Sequence, residues 1–183
     1  PVAIMPDTHA GKGSVIGFTM LLTDKVVPNV VGVDIGCGML SINLGKVNVD
    51  LEKLDREIRE MIPTGHNVHD LPVIDMIKKF PWDYVTRAQR KVKHNSPDFD
   101  YEAFRKLCLK VGIPLPYAEG SIGTLGGGNH FIEAGQAQGS GELWITIHSG
   151  SRNLGKRVCE YWQKKAKVYL KLGQGNDLKS EIE

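Results

Sequence analysis

The chain has 183 residues, 41% hydrophobic and 24% charged, enough to bury a sizeable core in one globular domain; its apolar runs are too short and interrupted for a membrane span. A formal net charge of +2 does not by itself announce a polyanionic partner, so any surface for nucleic acid has to come from local clustering. Three cysteines, Cys37, Cys108 and Cys159, lack paired spacing, which argues against a disulfide framework and fits a reducing, cytoplasmic setting.

Residues 1–47 alternate β-rich runs (VAIM, VIGFTMLL, VVPNVVGVDI, MLSINL) with glycine-rich turns, a pattern that predicts sheet carrying functional loops. Residues 50–120 change character. Asp50 is placed to cap a helix LEKLDREIREMI that Pro63 ends, and DFDYEAFRKLCLKVG spaces Phe99, Phe104, Leu107 and Val111 for another helix. The run RAQRKVKH, with Arg87, Arg90, Lys91 and Lys93, reads as a solvated helix face, with contact to an RNA backbone as the alternative. Residues 121–172 return to glycine-rich strand, IGTLGGGNHFIEA and ELWITIHSG, and finish in a helix from about Leu154 to Leu172. Val158, Trp162 and Tyr169 are assigned to its core side, and Cys108 and Cys159, on helices without polar company, to packing. These elements predict an α+β fold.

Ligand-type side chains gather where strands run into loops. MPDTHAGKG carries Asp7 and His9, GVDIGCG carries Asp34 and Cys37, GGGNHFIE carries Asn129, His130 and Glu133, and TIHSGSRNLG carries His148 and Arg152. Glycines at this density remove side chains and open backbone angles closed to other residues, so a carboxylate and a thiolate three positions apart can converge. Taken singly, Cys37, His130 and His148 are each more often packing residues than ligands. Together they offer thiolate and two imidazoles, and with Asp34 a carboxylate, enough for one or two divalent metals. Asp7 and His9 are assigned to orienting ligands or holding a loop. GKGS at residues 11–14 lacks the spacing of a phosphate-binding P-loop.

MPDTHAGKGSVIG, GVDIGCGM, GTLGGGNHFIE and HSGSRNLG, in this order, resemble the successive signature segments of the RtcB family of RNA-splicing ligases. The resemblance implies a mixed sheet core with glycine-rich ligand-bearing loops over residues 1–48 and 121–172. Residues 63–120 correspond to the family's helical insertion, in a single catalytic domain that continues beyond this chain. It further implies that Asp34, Cys37, His130 and His148 bind two manganese ions, the thiolate lying between the metal positions. Asn129 matches a contact to GTP phosphates beside His130, Glu133 a residue near the bound nucleotide, and Arg152 a grip on phosphate. The implied reaction joins RNA 3′-phosphate or 2′,3′-cyclic phosphate ends to 5′-hydroxyl ends with GTP, through a guanylylated histidine.

Softness of the ligands, read without the family, favours zinc for thiolate plus imidazole, while Asp34 and phosphate oxygens favour manganese. Two other functions stay open: a metal-dependent phosphoesterase acting on RNA ends, and a fragment that binds metal or RNA without catalysis. The family's guanylate-accepting histidine and one further histidine ligand lie beyond the HSGSR segment, where this sequence has no match; His66, His69 and His94 fall outside any matching motif. Incubated with radiolabelled GTP and manganese, these 183 residues alone are therefore expected to take up no covalent label, as read by denaturing gel.

Overall fold

The computed structural model describes residues 2–11, 14–22 and 35–172. Strands β1 (Val2–His9) and β2 (Ile16–Met20) form an antiparallel two-stranded sheet. β3 (Gly38–Gly45), β4 (Phe131–Gln136) and β5 (Leu143–Ser149) form an antiparallel sheet in the order β3-β5-β4. The helices are α1 (Leu51–Met61), α2 (Trp82–Val92), α3 (Tyr101–Val111), the short α4 (Leu115–Gly120) and α5 (Leu154–Leu172). The mixture is α+β, as the sequence pattern indicates. Of the expected strand VVPNVVGVDI, residues 26–34 lie outside the described residues.

Local chemistry sets the helix boundaries. Asp50 accepts the backbone N–H of Lys53 at 2.9 Å and Asp100 that of Ala103 at 2.8 Å, each satisfying a donor that the first helical turn leaves orphaned. Gly112 ends α3 in the left-handed region, φ +73°, its N–H returning to the Cys108 and Leu109 carbonyls. On α2 the cations are solvated: Arg87 pairs with Asp83 at 3.0 Å and Arg90 with Asp98, and all four residues are exposed.

The buried core lies among the helices. Met76, Phe104, Cys108, Val111, Ile113 and Ala118 form it, with Trp82, Phe99, Tyr101, Leu154, Val158 and Tyr161 packed around it. The Trp82 ring stands 5.7 Å from Phe104 and 4.4 Å from Phe80, tilted contacts typical of aromatic clusters. Burial pushes the Cys108 thiol above its ordinary pKa, and Cys159 is likewise buried, so both serve packing. Trp162 does not: it is 54% exposed. The core stripe of α5 runs through Leu154, Val158 and Tyr161, at helical spacings of four and three, which leaves Trp162 at the rim, edge-on to Tyr161 at 5.3 Å and beneath the Lys110 ammonium at 4.8 Å. Of the side chain of Tyr169 nothing is described.

The three-stranded sheet has two unlike faces, because residues directly opposite on neighbouring strands share a face and alternate along the strand. Pairing of Leu40 and Ile132 with Ile147, and of Ile42 and Ala134 with Ile145, makes one face apolar. Pairing of Met39 and Phe131 with His148, and of Ser41 and Glu133 with Thr146, makes the other largely polar. No residue of this sheet is fully buried, and Leu40 is 56% exposed.

Core and surface should therefore respond differently to truncation. Phe104→Ala is expected to cost about 3–5 kcal/mol in chemical denaturation, whereas Val92→Ala should stay within about 0.5 kcal/mol. Val92 is 92% exposed, against 7% for Phe104.

Candidate metal centre

Two loops and a strand end bring three candidate ligands to one point. Cys37 sits just before β3, His130 just before β4, and His148 one residue before the end of β5. Antiparallel pairing sets Met39 and Phe131 on either side of His148, which carries Cys37 and His130 toward the same imidazole. Cys37 Sγ lies 3.3 Å from His148 Nε2 and 4.0 Å from His130 Nε2, although 111 and 93 positions separate the pairs in sequence. One donor atom from each of the three falls within 4.8 Å of the others.

The histidine tautomers follow from their partners. His130 Nδ1 is 3.0 Å from the Leu125 carbonyl and His148 Nδ1 is 3.0 Å from the Gly38 carbonyl. A carbonyl can only accept, so each Nδ1 carries the proton and donates. Both Nε2 lone pairs are thereby turned to the sulfur. Fixing one ring nitrogen on a backbone carbonyl is how proteins orient imidazoles for metal, and donors around one tetrahedral ion lie about 3.5 Å apart. The spacings here bracket that value, and the donor set fits a divalent ion.

Glycine is required at two positions in these loops. Gly126 adopts φ +95°, and a Cβ there would overlap both His130 Nδ1 and Arg152 Nη1. Gly36, also at φ +95°, lies against Ser151, where a Cβ would sit 3.3 Å from the serine Cβ.

Arg152 ties the loops together. Its Nε donates to Thr124 Oγ1 at 2.7 Å, and its Nη2 donates to the carbonyls of Gly65 at 2.8 Å and Asn67 at 3.4 Å. Thr124 passes its own hydroxyl proton to the Ser121 carbonyl at 2.6 Å. Backbone pairing supports the same junction, with Gly65 N–H on the Gly126 carbonyl at 2.8 Å and Leu125 N–H on the Pro63 carbonyl at 3.0 Å. Arg152 and Asn153 hold φ values of +51° and +72° at the entrance to α5, a conformation costing about 1–3 kcal/mol in a side-chain-bearing residue unless fixed by its surroundings. The guanidinium uses three of its five donors in this way, and the two on Nη1 have no hydrogen-bond partner among the described residues.

Beside the cluster opens a cleft of about 640 Å³ whose walls include His66, Tyr117, Asn129, His130, Arg152 and Lys156. Asn129 and Arg152 thus meet His130 here. Glu133 does not line the cleft; it stands on β4 opposite Thr146, on the sheet face shared with His148. Asp34 and the Asp7 side chain lie outside the described residues, and His9, exposed at the end of β1, is not among the three clustered ligands. Sequence reasoning missed the carbonyls of Leu125 and Gly38 and the clamp on Thr124, Gly65 and Asn67. Backbone acceptors leave no residue-type signature; the triple glycine 126–128 was the one available hint.

The fold and the cluster define an α+β domain with a candidate thiolate–imidazole metal centre at the ends of its three-stranded sheet. The chain belongs to the tRNA-splicing ligase RtcB family, whose model matches residues 1–180. It is 30% identical over 174 residues to the RNA-splicing ligase RtcB of Escherichia coli, covering 88% of this chain and 38% of that protein. It is 30% identical to the tRNA-splicing ligase RtcB of Methanococcus maripaludis, with 90% of this chain and 41% of that protein covered. The chain thus spans about two fifths of the length of these curated relatives.

Because the thiolate is the element the two imidazoles share, Cys37→Ala should lower bound metal, read by elemental analysis, well below the level in Cys108→Ala or Cys159→Ala. Gly126→Ala removes no ligand yet displaces His130 and Arg152, and is expected to weaken metal binding about tenfold or more, read by competition with a chromogenic chelator.

Proposed function

We propose that this chain is the metal-ligand-bearing part of an RNA ligase that joins 3′-phosphate or 2′,3′-cyclic phosphate ends to 5′-hydroxyl ends, dependent on GTP and manganese. The observation that carries the reading is the convergence of Cys37 Sγ with the Nε2 atoms of His130 and His148 in a chain that belongs to a ligase family. In this reading Asp34 joins Cys37, His130 and His148 in holding two manganese ions, and residues 1–48 and 121–172 form the ligand-bearing core around the helical insertion 63–120. Bound metal would supply charge neutralisation for phosphate oxygens and in-line orientation of the ends.

The protein's own groups do the rest. The Leu125 and Gly38 carbonyls keep the two imidazoles in the Nδ1–H tautomer, so neither ring has to reorganise when a charged end arrives. Asn129 and the Nη1 donors of Arg152, which line the same cleft as His130, are the groups that would hold phosphate oxygens. Glu133, on the sheet face with His148, is the residue assigned to the guanine nucleotide. Zinc suits the soft thiolate better than manganese and would act as a competitor for the site.

The test is ligation of an RNA carrying 3′-phosphate and 5′-hydroxyl ends, with GTP and manganese, by a polypeptide that carries these residues together with the further length its relatives possess. Joined product is expected, reduced at least a hundredfold in Cys37→Ala. Opening of the cyclic phosphate with no joining under any metal would replace the ligase reading by a phosphoesterase.

A further inference from the structure

The cleft beside the metal cluster carries chemistry that the roles above leave unused. Its walls bring together a half-buried aromatic ring, Tyr117 of α4, an exposed ammonium, Lys156 in the first turn of α5, and an exposed imidazole, His66. Neither the Tyr117 hydroxyl nor the His66 ring has a hydrogen-bond partner among the described residues. Among the described residues Lys156 has only a long ion pair, 3.9 Å to Glu160, which also lines the cleft; between two exposed side chains that pair is worth little in water and leaves the ammonium able to turn to a phosphate. A stacking ring beside an ammonium and an imidazole is a recognition set for a nucleotide phosphate: the ring takes any base, and the polar groups take the backbone.

Two sources of that chemistry exist, GTP and an RNA strand, and the geometry separates them. Glu133, Cys37 and His148 are absent from the cleft walls, and Glu133 and His148 share the polar sheet face. His130 belongs to both regions: it walls the cleft and turns Nε2 to the sulfur. A ligation needs the nucleotide and the strand end to meet at the metal ligands from different directions. With Glu133 on the sheet face and Asn129 on the cleft wall beside His130, only the phosphates of the nucleotide reach the cleft, and Tyr117, His66 and Lys156 are left for the strand.

We propose that the cleft holds the terminal nucleotide of the RNA strand, its base stacked on Tyr117 and its backbone phosphate bound by Lys156 and His66, so that the strand's end is delivered to His130. The inference rests on the reading of this chain as part of an RNA ligase. It assigns Tyr117 and Lys156 as strand-binding residues outside the metal centre.

The experiment is fluorescence anisotropy of a labelled single-stranded oligoribonucleotide ending in a 3′-phosphate, titrated with this chain in manganese. Because Tyr117 also packs against the core, Tyr117→Leu is used to keep bulk while removing the ring, and Tyr117→Phe to keep the ring. Tyr117→Leu should weaken binding about tenfold and Tyr117→Phe should retain it. Lys156→Ala should weaken binding and reduce the slope of log affinity against log salt by about one, while Lys164→Ala, exposed further along α5, should do neither. Excess GTP should not displace the strand, and metal content should be equal in all four variants. The proposal is overturned if the parent chain does not bind the oligonucleotide, if Tyr117→Leu and Lys156→Ala bind like the parent, if Lys164→Ala matches Lys156→Ala, or if GTP displaces the strand. Metal content of Cys37→Ala reports separately on the metal centre, so loss of one reading is distinguishable from loss of the other.

Discussion

Everything at the candidate metal centre depends on the register of β5. As the middle strand it fixes His148 opposite Met39 on one side and Phe131 on the other, and those pairings carry Cys37 and His130 to the same imidazole. Side chains alternate with period two, so a slip of one residue would turn His148 to the apolar face and scatter the three ligands. The alternation of β5, with Ile145 and Ile147 on one face and Thr146 and His148 on the other, therefore specifies both the apolar face and the face that carries the candidate ligand.

The loops around that strand are fixed by hydrogen bonds to backbone carbonyls. The Leu125 carbonyl accepts from His130 Nδ1 and also from the Ser149 hydroxyl at 2.7 Å, so one oxygen positions a ligand and the end of β5 together. Arg152 does the same across a longer span, joining the start of α5 to the turns at 65–67 and 124. Its left-handed backbone is tolerated because three hydrogen bonds over-determine the side chain. Such pre-organisation matters at a metal site, where ligand positions have to be set before the ion arrives.

Burial is distributed unevenly, and stability with it. The helices hold the described core around Phe104 and Cys108, while the sheet that carries the candidate ligands leaves Leu40 and Ile42 of its apolar face open to solvent. The helical segment thus anchors the site through α5 and the turn at 63–69, which bonds to residues 120–126 by three backbone hydrogen bonds, those of Gly65, His69 and Leu125.

Much of this was legible in the residues themselves. Asp50 is an oxygen-bearing cap ahead of helical spacing, and it acts where elementary propensity puts it. The ligand types were legible too, since Cys37, His130 and His148 each stand among glycines at a strand end, and the motif order gave the family. Trp162 was not: its neighbour Tyr161 takes the core position, because the phase of α5 against α3 is a property of packing and not of either sequence alone. The 3.3 Å approach of Cys37 to His148, the clamp of Arg152 on three loops, and the cleft walled by Tyr117 and Lys156 were also beyond the sequence. Sequence determines which chemical groups exist and what local backbone they favour; only strand register and loop pairing, which join residues up to 111 positions apart, decide which of those groups meet.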